Sequence, residues 1–133
     1  MSLDFYVNVP EQCYYTRENG STVSKSAPDC HYEELHVGNI THNMNKMAMH
    51  VPVSDTLTLY NVLWRPDESD LKTTDDILEY VTIGVKYLID QKEELLQYNP
   101  DNGWGNYEGL LNFSRRVGSA CLFHPHCEIE VSR

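Results

Sequence analysis

The chain has 133 residues, with 20 Asp and Glu against 10 Lys and Arg and a formal net charge of −10 at pH 7, a length that fits one domain. So acidic a balance excludes wrapping a phosphate backbone, which needs a basic surface, and no apolar stretch approaches the roughly 18 residues of a membrane-spanning helix. Nothing at the N-terminus reads as a basic-then-apolar export signal, so a cytoplasmic protein with Cys13, Cys30, Cys121 and Cys127 reduced is expected.

Leu3, Phe5, Val7 and Val9 alternate with Asp4, Tyr6 and Asn8, the period-two pattern of a half-buried strand that Pro10 stops. The polar stretch 11–29, with Asn19-Gly20 and several serines, predicts a long hairpin loop. An extended pattern resumes over 32–37, with Leu35 and Val37 on one side. Ile40, Met44, Met47, Ala48 and Val51 then fall on one helical stripe, with Asn39 as N-cap and Pro52 as terminator. Ser54 caps a short second helix carrying Leu57, Tyr60, Leu63 and Trp64, ended by Pro66. Thr73 with Asp76 resembles a capping box. It precedes a third helix in which Leu78, Val81, Val85, Leu88, Ile89, Leu95 and Leu96 keep a 3.6 period until Asn99-Pro100. A fourth helix over 107–121 turns Leu110, Leu111, Val117 and Cys121 inward, and 128–131 alternates again as a closing strand. An N-terminal hairpin, about four helices and a last strand predict an α+β fold in a single domain, 1–133. Its small antiparallel or mixed sheet pairs the last strand with the first.

Three segments carry side chains suited to chemistry. Along the first helix Asn39, His42, Asn43, Lys46 and His50 share about 100° of arc beside the methionine stripe, where a pocket lip would form. With Thr41 beside them, these imidazoles and amides can grip a polar ligand by hydrogen bonds; the plainer reading makes Asn39 a cap and the rest surface. The second segment is the turn at 99–109, where Gly103 and Gly105 flank Trp104. That ring either covers the core as a lid, the commoner role, or offers a stacking face. The start of the following helix would add an anion site, and the two together suit a nucleotide-like ligand. Third, Cys121, His124, His126 and Cys127 are zinc-type donors in cramped spacing; the main expectation is no cofactor, with Cys121 a core residue.

The run 67–79 holds Asp67, Glu68, Asp70, Asp75, Asp76 and Glu79 against Lys72 alone. Its bland reading is a solvated face, its sharper one a nucleic-acid mimic that blocks a host factor. No nucleophile elbow, Walker loop, zincin helix or dinucleotide fingerprint occurs, so no catalytic residue is assigned.

Four motifs taken together resemble a family of small, mostly uncharacterised bacteriophage and prophage proteins. They are Asn39-Ile40-Thr41-His42-Asn43 followed by Lys46-Met47-Ala48, Leu59-Tyr60-Asn61-Val62-Leu63-Trp64-Arg65-Pro66, Asn99-Pro100 with Asn102-Gly103-Trp104-Gly105-Asn106-Tyr107-Glu108, and the ending Val131-Ser132-Arg133. The likeness covers 35–133; the insertion holding Cys13 and Cys30 departs from it, as does His124-Pro125-His126-Cys127. It implies a phage-encoded accessory protein in the host cytoplasm and supplies no activity. The expectation is a non-catalytic binder in which Asn39, Thr41, His42 and Asn43 hydrogen-bond the ligand. Trp104 and Tyr107 would pack on it, Arg65 would pair with a negative group, and Asn102 and Glu108 would complete the rim. The partner is then a small molecule or a host protein, without direct contact to nucleic acid or membrane. The acidic mimic and a small enzyme using His42 are the alternatives.

Overall fold

Alternation in the first strand gives β1 (Ser2–Pro10) two distinct faces: Leu3, Phe5 and Val7 are fully buried, while Ser2, Asp4, Tyr6 and Asn8 are partly exposed. Burying each of those three apolar side chains is worth roughly 1.5–3 kcal/mol, which favours the central position. In the computed structural model, which describes residues 1–10, 13–16, 22–25 and 32–133, β1 lies between β4 (Tyr32–Thr41) and β5 (Glu128–Ser132). The sheet is antiparallel, in the order β4–β1–β5. Within the predicted loop, β2 (Cys13–Thr16) and β3 (Thr22–Lys25) pair with each other as a separate antiparallel ladder. The rest of 11–29, and Cys30, lie outside the described residues.

Strand β4 corrects the sequence reading. It runs to Thr41, so Asn39 and Ile40 are strand residues and Thr41 is the cap, its hydroxyl accepting from the Asn43 N–H at 3.3 Å. A 3-10 turn over His42–Met44 leads into a short α1 (Asn45–Met49). The helical spacing misled because the junction keeps one side inward: Ile40 pairs with Leu3 above the core, and Met44, Met47, Ala48 and Val51 continue the buried row. A register shift sets Phe5 opposite Gly38 but Tyr6 opposite His36, making Val37 the extra residue of a bulge. Leu35 and Val37 therefore do not share one regular face. At Gly38 the strand runs tight beneath a helix, since a Cβ there would sit 3.3 Å from the Phe113 ring.

The second helix, α2 (Leu59–Trp64), starts later than Ser54 suggests. Asn61 Oδ1 accepts from both the Thr58 N–H (2.8 Å) and its hydroxyl (3.0 Å), while Ser54 closes a preceding turn through the Leu57 N–H. Helix α3 (Thr74–Asp90) buries Ile77, Val81, Gly84 and Leu88; Leu78 and Val85 are half-buried and Ile89 is exposed. It ends at Asp90, and α4 (Lys92–Leu95) and a 3-10 turn (Leu96–Tyr98) follow. Near the break the Tyr107 hydroxyl donates to the Leu88 carbonyl at 2.5 Å, an acceptor that an unbroken helix would offer to its own next turn. Helix α5 (Tyr107–Phe123) packs Leu110, Leu111, Phe113, Ser114, Val117 and Cys121 inward against α3 and the sheet. The described residues form an α+β fold with one helix-covered sheet face.

Backbone N–H groups of Lys72 (2.9 Å) and Thr73 (3.0 Å) bind the Asp76 carboxylate ahead of α3 and hold its carboxyl below the usual range. A folded pKa below the unfolded one stabilises fully above the unfolded value, near ~3.9, and the contribution is lost as pH falls through the folded value. Asp76→Ala is therefore expected to cost about 1 kcal/mol at neutral pH, and the gap to the parent protein to close as acid protonates the carboxyl. Urea unfolding as a function of pH measures this; a gap that stays constant into acid refutes the assignment.

Candidate functional site

The end of β4, the start of β1 and the loop before α5 meet around a cavity of about 670 Å³. Asn39, Thr41, His42 and Asn43 line one side, Met1 and Ser2 another, and Trp104 a third. Each wall has a local cause. Asn39 faces Asp4 across the ladder, and its amide donates to Asp4 Oδ1 and Ser2 Oγ, both at 2.9 Å. The same Asp4 oxygen meets His36 Nε2 at 2.9 Å. Hydrogen bonds from Asn39 first, then His36, hold the Asp4 carboxyl below its ordinary range.

The imidazole of His42 is oriented from inside the protein. Trp64, 1% exposed on α2, donates its indole N–H to His42 Nδ1 at 3.1 Å. The sequence places Trp64 on the second helix without a partner for its indole N–H; the available signal is that a buried indole N–H needs an acceptor.

The loop is docked rather than loosely draped. Asn43 Nδ2 donates to the Trp104 carbonyl (3.3 Å), and Asn102 Oδ1 accepts from the Trp104 N–H (2.9 Å). Gly105 has φ +99°, and a Cβ there would lie 2.7 Å from Thr41 Cγ2 and 3.0 Å from Met44 Sδ. No other residue permits that approach. The Trp104 ring is 70% exposed, which corrects the lid reading: it does not plug the core.

Other predicted site residues lie elsewhere. Tyr107 is 2% exposed and committed to Leu88, so it cannot pack on a ligand in the cavity. Arg65 turns to the Tyr60 hydroxyl (3.3 Å) and Glu68 (3.9 Å) and does not line the cavity. Asn102 acts through the turn, and Glu108 pairs with Lys92 at 3.5 Å. His50 stacks on Tyr98 with ring centroids 4.0 Å apart, and Lys46 sits over the same ring. Two N–H groups of the predicted anion site are taken by the chain's own side-chain amides: Asn106 Oδ1 accepts from the Gly109 N–H and Asn99 Oδ1 from the Tyr107 N–H, both at 2.8 Å.

The zinc-type donors do not converge. Among the described residues no three His, Cys, Asp or Glu side chains form a metal-binding group. His126 pairs with Asp75, Cys121 and Cys127 are buried free thiols, and His124 follows the end of α5. Burial pushes the Cys121 thiol up to about 12 and raises Cys127 as well. Much of the acidic run is engaged within the chain: Asp67 binds Arg133 (2.7 Å), Asp70 meets Lys72 (3.4 Å), and Asp76 caps α3. Compared with protein-family profiles, curated proteins and solved structures, the chain matches none of them.

Two measurements follow from this geometry. Gly105→Ala is expected to destabilise by about 2–4 kcal/mol, combining strain at positive φ with overlap on Thr41 and Met44. Gly103→Ala, at φ +76° but in open space, should lose about 1 kcal/mol; equal melting temperatures for the two variants would refute the docking. With Cys13 and Cys30 replaced by serine, Cys121 and Cys127 should react with a thiol reagent at least ~100-fold faster in urea than when folded. Equal rates would place them at the surface.

Proposed function

We propose that this protein is a non-catalytic, phage-encoded accessory protein that acts in the host cytoplasm by binding a small, polar, nucleotide-like host molecule in the cavity beside Trp104. One observation carries the reading: a 70%-exposed indole shares a cavity of about 670 Å³ with two asparagine amides, a threonine hydroxyl and an inwardly anchored imidazole. Aromatic surface beside a few convergent polar groups is the usual make-up of a small-molecule site. Three other hollows fit less well: that between β4 and α5, about 530 Å³, that between α3 and α5, about 290 Å³, and that along residues 89–94, about 550 Å³, are lined by no tryptophan, tyrosine or phenylalanine. The phage origin rests on the motif resemblance.

Binding without turnover is favoured by the state of the candidate catalytic groups. Nδ1 of His42 is taken up by Trp64, and a thiol held near 12 supplies no thiolate for an imidazole–thiol pair. The acidic-mimic alternative has weaker support, because Asp67, Asp70, Asp75 and Asp76 are engaged with the chain's own groups.

The test uses the small-molecule fraction of a bacterial host extract. Saturating ligand is expected to raise the melting temperature by about 5 °C or more, and the rise should vanish in Trp104→Ala with the far-UV circular dichroism unchanged. No shift with wild-type protein, or an undiminished shift in Trp104→Ala, would refute the proposal.

A further inference from the structure

Resting on the cavity reading above and narrowing its nucleotide-like ligand to one without phosphate, we infer that the ligand is an uncharged planar heteroaromatic ring bearing a carbonyl acceptor, of the nucleobase or nucleoside type, and that His42 reads the carbonyl with its Nε2–H.

The argument starts from the donor inventory. An indole N–H can only donate, so His42 Nδ1 must receive it with a lone pair. An imidazole with a lone pair on Nδ1 carries its proton on Nε2. With Nδ1 turned toward buried Trp64, the Nε2 edge is left on the half-exposed side where His42 lines the cavity. The core thereby presents a fixed donor, and a carbonyl oxygen is its natural partner. The neighbouring Trp104 ring offers a face for a planar ring to stack on.

Charge decides against a phosphorylated ligand. Among the described residues no lysine or arginine lines the cavity. Lys46 sits over Tyr98 and Arg65 on Tyr60, while the N–H groups of Tyr107 and Gly109 at the start of α5 are taken by Asn99 and Asn106. Asp4, ionised and bonded to Asn39, lies just behind the wall, and the whole chain carries −10. Among the described lining residues a phosphate dianion would find only the amino terminus of Met1, fully exposed and screened by water, as a counter-charge.

The experiment follows the two tryptophan indole N–H signals of the whole protein by 1H–15N correlation, titrating with uridine, uridine 5′-monophosphate, a uridine trinucleotide and indole. Uridine is expected to move the Trp104 signal and to bind at least ~10-fold more tightly than either phosphorylated probe or indole, which has no carbonyl. His42→Gln, which keeps a donor toward the cavity and an acceptor for Trp64, should retain the preference over indole; His42→Leu should lose it. If His42→Leu does not fold, the imidazole 15N shifts of the wild-type protein decide, and an Nδ1–H tautomer overturns the inference. Tighter binding of either phosphorylated probe, or equal binding of indole, also overturns it and leaves the cavity reading standing. So does silence of all four probes while the extract fraction still binds; silence of both removes the two together.

Discussion

A buried indole has one hydrogen bond to give, and Trp64 gives it to His42. Left without an acceptor, that N–H would cost about 1–3 kcal/mol, so the imidazole is held where the core needs it. The indole itself is fixed on several sides. It stacks on Tyr60 at 5.9 Å and leans on Phe113 at 6.4 Å, and Phe113 meets Phe5 edge-on at 6.4 Å. An aromatic row thus runs from the central strand through α5 to α2 and ends at the cavity wall. Arg133 closes the far side, binding the Trp64 carbonyl at 2.9 Å together with the Asp67 carboxylate. Packing in the interior and the direction of a polar edge at the surface are one arrangement.

The cavity exists because three backbones approach closely at the corner where β4 hands over to α1. Thr41 ends the strand and caps the following turn, the His42 N–H reaches the Met1 carbonyl at 3.4 Å, and Gly105 lies on Thr41 and Met44. Only a residue without a side chain, here at positive φ, brings the loop that near, and the adjoining indole lies on the outside. Stability and site geometry meet at this corner: the contacts that seat the loop on Met44 also hold the ring at the rim.

Charge is distributed with a similar logic. Carboxylates that look like an excess in the sequence take up structural posts, on Arg133, on Lys72, on His126 and at the start of α3. Several cations are drawn to tyrosines: Lys46 to Tyr98, Lys92 to Tyr107 and Arg65 to the Tyr60 hydroxyl. The described lining of the cavity accordingly holds no lysine or arginine, in a molecule that is strongly acidic overall.

Period-two alternation was enough to find β1 and β5, because a strand with one wet face repeats every second residue whatever it packs against. The Thr73–Asp76 cap and the helical stripe behind it were equally legible, being local in origin. Where local pattern admitted two answers, neighbours distant in sequence decided. The row from Ile40 to Val51 fits a helix, yet its first residues pair with β1, since ladder hydrogen bonds to Leu3 and Ser2 are invisible in a single segment. The break after Asp90 has no proline or glycine to announce it; beside it, Tyr107 holds the Leu88 carbonyl. Composition alone flagged the Asn39–Asn43 segment and the glycine-flanked indole as unusual. That they share one hollow, that Tyr107 turns inward and Trp104 outward, and that His42 answers to Trp64 were settled only in three dimensions, because close approach and the pairing of buried donors belong to the packed chain and not to any stretch of it.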